Sequence, residues 1–404
     1  MAGAEGLIFV FLVLFPFGQL IRLNFDIFGA RVPIQPLDVV AGLSIVWFIL
    51  GKLKKPKGLR PISALRLQGL PLSAFLLFAA FSLLFSLTIF EPRQLAIGSL
   101  YFLRLLAYVS FFLVSYNLVL KNKRLKPRLF HLLIVVSAAT GLFGWIQYFW
   151  LPDLRALRFL GWDDHLYRLV GTFLDPGFTG LILTFGFLLS LVKFLETKDK
   201  RLILLLAFFL LSVGFTYSRA SYLALLAGSL VAFGVKKRLR QAAVVFLALL
   251  FISFLLPRPA GEGVKLERLS SVYLRLENYQ ETLKIFKHSP LFGVGYNNLC
   301  QARQKYLGEA DFTSHACSGS DSSLLLVLAT TGVLGLMVFL NLIYSLVKNA
   351  GKEIYDYSFL AVLTALLIHS LFVNSLFYPW VIGYMAILLS VSLRSKKKGK
   401  RSLG

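Results

Sequence analysis

The sequence predicts an all-α, polytopic integral membrane protein with about twelve transmembrane helices in a single membrane domain. Three observations lead there. Of 404 residues, 57% are hydrophobic and the mean hydropathy is +0.74, more apolar surface than a soluble domain can bury. The apolar residues gather into runs close to the length that spans a bilayer. The net charge of +24 is carried by Lys and Arg in short clusters between those runs, not along one face. That is a membrane pattern, so lipid is an expected partner and nucleic acid is not.

A helix crossing lipid needs roughly 20 apolar residues, because every backbone polar group must be satisfied within it. Runs of about that length fall at 6–22, 36–51, 71–89, 95–118, 129–150, 171–192, 201–217, 220–235, 241–256, 322–347, 357–374 and 376–393. The first, apolar from Leu7 to Ile21, lacks a basic leader and a small-residue cleavage site, and reads as a retained helix. The organisation expected is nine helices over 1–256, one hydrophilic loop over 257–320, three helices over 321–393 and a basic cytoplasmic tail over 394–404.

Orientation follows from the basic residues. Alternate connections are rich in them: Lys52, Lys54, Lys55, Lys57, Arg60 and Arg66; the Lys121–Arg128 group; Lys198, Lys200 and Arg201; Lys236, Lys237, Arg238 and Arg240; Lys348 and Lys352; and Lys396–Lys398. The bias assigns these connections and both termini to the cytoplasm. The 150–168 connection and the long 257–320 loop then face the other side.

Within the long loop, Leu269, Val272, Leu276, Tyr279, Leu283 and Phe286 recur at helical spacing, and Arg268, Arg275 and Thr282 share another stripe. The pattern stops at Ser289–Pro290. The reading is an amphipathic helix against the membrane surface or capping the bundle. Both cysteines, Cys300 and Cys317, lie in this loop. A disulfide in an oxidising compartment is one reading, two unpaired small residues the other.

No phosphate-binding glycine loop, zinc spacing or nucleophile elbow is present. Chemistry therefore falls to polar residues at helix ends and in the loop. Arg219, in the short turn Tyr217–Ser221, reads as a phosphate clamp or a snorkelling interfacial arginine. Arg275 has the same anion-binding reading beside that of a solvated helix face. Arg104 lies inside the fourth run, where an arginine is a functional hypothesis by default, or, about two turns from the exterior end, a snorkelling residue. Arg168 reads as a substrate contact or the partner of Asp175, which with Pro176 marks a helix start. Asp321 is a suitable N-cap for the tenth helix or a general base, and His315 is an alternative base. His369 and Asn374 read as hydrogen bonders in the bundle interior.

The Ser218–Arg219 turn, the run His288-Ser289-Pro290-Leu291-Phe292-Gly293-Val294-Gly295-Tyr296-Asn297 and the segment from Asp321 to Gly335 together resemble the O-antigen ligase and polymerase superfamily. The resemblance implies a metal-independent glycosyltransferase of the integral-membrane (GT-C-like) type in the bacterial inner membrane, with its active site facing the periplasm and no cofactor. It implies an undecaprenyl-diphosphate-linked glycan donor and, as acceptor, lipid A–core for a ligase or a lipid-linked glycan for a polymerase. Arg219 and Arg275 match the family's two diphosphate-binding arginines, with Arg168 and Arg104 as expected helpers. Ser322, Gly332 and Gly335 fit the ligase motif, but Asp321 stands where ligases carry His. Asp321 or His315 is then the expected base. A transporter is the less favoured reading, because the longest loop lies on the non-cytoplasmic side after the ninth helix.

Overall fold

A computed structural model describes residues 2–27, 30–54, 71–259, 261–308, 310–312, 317 and 319–393. The basic residues Lys55, Lys57, Arg60, Arg66 and Lys396–Lys398, and the candidate base His315, lie outside the described residues. The chain begins with α1 (Ala2–Leu14), which runs on as a 3-10 stretch to Leu20. A hairpin follows, β1 (Leu23–Ile27) and β2 (Ala30–Ile34), antiparallel with Leu23 opposite Ile34. Then come α2 (Pro36–Lys54), α3 (Leu72–Phe85), α4 (Leu95–Lys121), α5 (Leu125–Trp150), α6 (Pro176–Thr197), α7 (Arg201–Phe215), α8 (Arg219–Val235) and α9 (Ala242–Leu255). Two polar helices, α10 (Ser270–His288) and α11 (Leu299–Leu307), precede α12 (Ser323–Lys348), α13 (Ile354–His369) and α14 (Pro379–Ser392).

Apolar helices lie on all twelve of the expected runs. Five of them are long and apolar enough to cross a membrane, and seven are shorter, with 10–17 residues. A 15-residue helix such as α7 reaches about 22 Å, short of a hydrocarbon core of about 30 Å. Turns inside the apolar runs account for the difference. The sixth run starts with a 3-10 turn, Gly171–Phe173, so that α6 begins only at Pro176, behind its cap Asp175. The eleventh run ends as helix at His369, five residues early, and Asn374 sits in the following turn. Central to the bundle is α6, 83% of whose apolar window is buried, with α5, α7, α8 and α13 packed around it.

The hairpin was not expected from the sequence. Its signal was the alternation of Leu23, Phe25 and Ile27 with Asn24 and Asp26.

The tenth run is not one straight helix. Gly332 interrupts α12 with φ 69° and ψ −175°, a conformation essentially reserved for glycine. The segment 290–295 lies across this break. Val294 and Gly295 donate backbone N–H groups to the carbonyls of Ala329 and Thr330, both at 3.0 Å, and Val333 donates to the Pro290 carbonyl at 2.9 Å. Backbone groups freed by a break deep in an apolar bundle need such partners. A Cβ on Gly332 would lie 2.2 Å from the Leu291 carbonyl oxygen. Gly332→Ala is therefore expected to destabilise the protein by ~3 kcal/mol or more, from backbone conformation and overlap together. Melting of the purified protein checks this; an unchanged transition would mean that the break is dispensable.

The stripes of α10 are arranged unlike those of a helix in water. Much of its apolar stripe faces outwards, with Leu269 60% and Leu276 48% exposed, whereas Ile285 is buried and Thr282 is 1% exposed. The polar stripe turns towards the bundle. Asn278 Oδ1 accepts from the Ser320 hydroxyl and from the Asp321 backbone N–H at 2.9 Å, and Thr282 donates to Ser320.

Candidate functional site

A cavity of about 330 Å³ opens where α4, α6, α10, α12 and α14 approach one another. Arg22, Arg104, Asp175 and Asp321 line it, with Gln35, Tyr101, Asn278, Asn297, Tyr378 and Trp380. Phe178 stacks on Tyr378 at 3.8 Å, and Tyr378 on Trp380 at 4.9 Å, which gives one wall a flat aromatic surface. Three polar atoms of lining residues have no hydrogen-bond partner among the described residues: Gln35 Oε1, Asn297 Nδ2 and Trp380 Nε1. Unsatisfied donors and acceptors beside aromatic rings suit a hydroxyl-rich ligand.

Arg104 reaches this cavity from α4. Its guanidinium pairs with Asp38 at 2.9 Å, donates to the Pro33 carbonyl and lies 5.0 Å from the Tyr101 ring. An arginine within a span is held by such a carboxylate. Asp38, three residues into α2, is the partner that the sequence did not reveal.

Asp321 caps nothing. The expected N-cap role belongs to Ser322, whose hydroxyl accepts from the Leu325 N–H. The serine wins because it stands one residue nearer the first helical turn. The Asp321 carboxylate thus has no hydrogen bond among the described residues. Burial pushes its pKa above the usual carboxylate range, against the opposing charges of Arg275 and Arg303. Three contacts fix the segment that presents it. Cys300 and Cys317 form a disulfide, with Cα atoms 4.9 Å apart. Arg303 donates to the Cys317 carbonyl and pairs with Glu281 at 3.6 Å. Asn278 holds the Asp321 backbone.

Beside the cavity, four arginines gather. Arg168, buried, donates to the carbonyls of Thr216 and Tyr217. Arg219, the first residue of α8, donates to the carbonyls of Leu266 and Arg268 and to the Ser271 hydroxyl at 2.7 Å. Arg268 donates to the carbonyls of Gly263, Lys265 and Tyr217. These three guanidiniums stitch the 216–219 turn to the 263–271 segment. Arg275, on α10, makes no hydrogen bond or ion pair among the described residues. None of the four has a carboxylate at ion-pairing distance among them either. Burial lowers the Arg268 pKa, helped by the charges of Arg219 and Arg275. Burial also pushes Arg168 down to about 9, with Arg268 adding to the shift and Asp175 opposing it. Clustered cations with no carboxylate at ion-pairing distance among the described residues can hold an anion.

The two regions meet through Asp175 and Asp321. Both line the cavity, while Arg168 acts on the first and Arg275 on the second. Asp175 is not the direct partner of Arg168; it caps α6 through the Phe178 N–H at 2.8 Å. Sequence reasoning missed Asn278, Arg303 and the bonds of Arg268 to the Gly263, Lys265 and Tyr217 carbonyls. Asn278 was within reach, because it falls on the stripe of Arg275 and Thr282 at i+3 and i−4.

Residues 202–340 match the family model described as O-antigen ligase. The stretch contains Arg219, Arg275, His315 and Asp321; Arg104 and Arg168 precede it. With the apolar helices, the match supports a multi-pass bacterial membrane protein of the O-antigen ligase superfamily, whose enzymes act on lipid-linked glycans. No curated protein matches the chain.

Proposed function

With the O-antigen ligase match as premise, we propose that the chain is a metal-independent membrane glycosyltransferase. In this reading it moves an undecaprenyl-diphosphate-linked glycan onto an acceptor sugar hydroxyl at the periplasmic face of the inner membrane. The apolar helices cross the membrane, both termini are cytoplasmic, and the 257–320 loop is periplasmic. The acceptor is lipid A–core, as for a ligase.

One observation carries the reading: Arg275, unpaired among the described residues, acts on a carboxylate, Asp321, that lines the cavity and accepts no hydrogen bond from any of them. Arg275 and Arg219 grip the donor diphosphate, and Arg168 adds its charge from behind. Asp321 takes the proton of the acceptor hydroxyl, whose oxygen attacks the anomeric carbon. The bond from that carbon to the diphosphate breaks, and the arginines stabilise the charge that develops on departing undecaprenyl diphosphate. Arg104, neutralised by Asp38, belongs to the acceptor side as part of the cavity wall.

A polymerase, with a lipid-linked glycan as acceptor, is favoured by one feature, the Asp321 that replaces the ligase histidine. Incubating the purified protein with lipid-linked glycan and lipid A–core, followed by gel analysis, separates the two. A shifted core band is the expected result, and a lengthened ladder on the carrier lipid means a polymerase. No glycosidic bond, with substrate flux in proteoliposomes, would leave a transporter instead.

A further inference from the structure

The connection between α5 and α6 holds a group of side chains that the proposed transfer does not use. Asp163, His165 and Asp175 each offer a ligand atom, and these atoms lie within 4.8 Å of one another. His165 is only 7% exposed, yet among the described residues neither of its ring nitrogens has a hydrogen-bond partner of good geometry. A buried imidazole left unsatisfied on both sides is costly unless something binds it. Asp163 makes no hydrogen bond or ion pair among the described residues, and the Phe178 N–H occupies one oxygen of Asp175. Two carboxylates thus approach one another with no direct counter-charge.

We propose that Asp163, His165 and Asp175 bind one divalent cation, Mn2+ or Zn2+. Two carboxylate oxygens with one imidazole nitrogen suit these ions better than Mg2+, which prefers oxygen alone. The cation would satisfy the imidazole, relieve the repulsion between the carboxylates and tie the 151–170 segment to the start of α6. Three ligands leave coordination positions open. The Arg168 and Arg268 charges weaken the site, and the two carboxylates, Asp163 and Asp175, oppose them.

The full-length protein in detergent, stripped with EDTA and desalted, is titrated with MnCl2 by electron paramagnetic resonance and, separately, dialysed against ZnCl2 for metal analysis. One bound equivalent of at least one ion is expected, with affinity reduced about tenfold or more in Asp163→Asn and His165→Gln. Asp163 is exposed, so its variant keeps the fold, which gel filtration verifies, and it decides the matter if the His165 variant fails to fold. Uptake of neither ion, or uptake unaltered in Asp163→Asn, overturns the proposal. Glycan transfer is not read in this experiment, so its failure leaves the transferase reading standing.

Discussion

Asp321→Asn is expected to lower glycan transfer by about 10²- to 10⁴-fold, the usual worth of a positioned general base, while thermal stability stays within ~0.5 kcal/mol of the parent. The two halves of this expectation come from one geometric fact. Ser322 caps α12, so the Asp321 side chain is free of structural duty and its removal leaves the helix intact. A carboxylate acts as a base only when ionised, and burial has raised its pKa. Transfer should therefore fall as the pH drops through a limb lying above the ordinary aspartate value of about 3.9. Removing the Arg275 charge, which opposes that rise, should move the limb to still higher pH. Radiolabelled or gel-based transfer from pH 4 to 8 measures both. Near-parental activity in Asp321→Asn would end its role as base and direct attention to His315.

The second large effect concerns the arginines. Arg275→Ala is expected to reduce transfer by about 10²- to 10³-fold with little change in stability, because its guanidinium holds no group among the described residues. Arg219→Ala should abolish transfer as well but also lower the melting temperature, since three hydrogen bonds to the 266–271 segment go with it. Arg275→Lys should recover part of the loss by supplying charge without the planar fork. The assay uses purified donor and acceptor, with melting curves recorded on the same preparations. Normal transfer by both alanine variants would remove the diphosphate clamp altogether.

Much of this molecule could be read from its residues because hydropathy is a long-range, additive signal. Every apolar run contains a helix, as the lipid requirement dictates. What escaped is local. The break at Gly332 depends on a segment some 40 positions earlier that supplies the missing partners, and nothing in the 322–347 run announces it. The contest between Asp321 and Ser322 for the cap turns on a single residue of register, finer than hydropathy resolves. The spacing of Arg268, Arg275 and Thr282 showed that a stripe exists on α10 but not which way it faces. In water a polar stripe turns out; here Asn278 and Thr282 turn in against Ser320 and Asp321, while Leu269 and Leu276 stay exposed. The Arg104–Asp38 pair, 66 residues apart in sequence, needed the fold to bring it together.

That reversed amphipathicity of α10 has a bearing on how a substrate gets in. On the proposed transferase reading, with α10 at the membrane surface, a polyprenyl chain would slide along Leu269, Leu276 and Leu283 within the lipid, while the head it carries slips past Arg275 on the inner side of the same rod. Entry of this sort is sideways, out of the leaflet rather than down from the aqueous space. A short-tailed, water-dispersed donor would forfeit that route and turn over poorly even with every guanidinium in order.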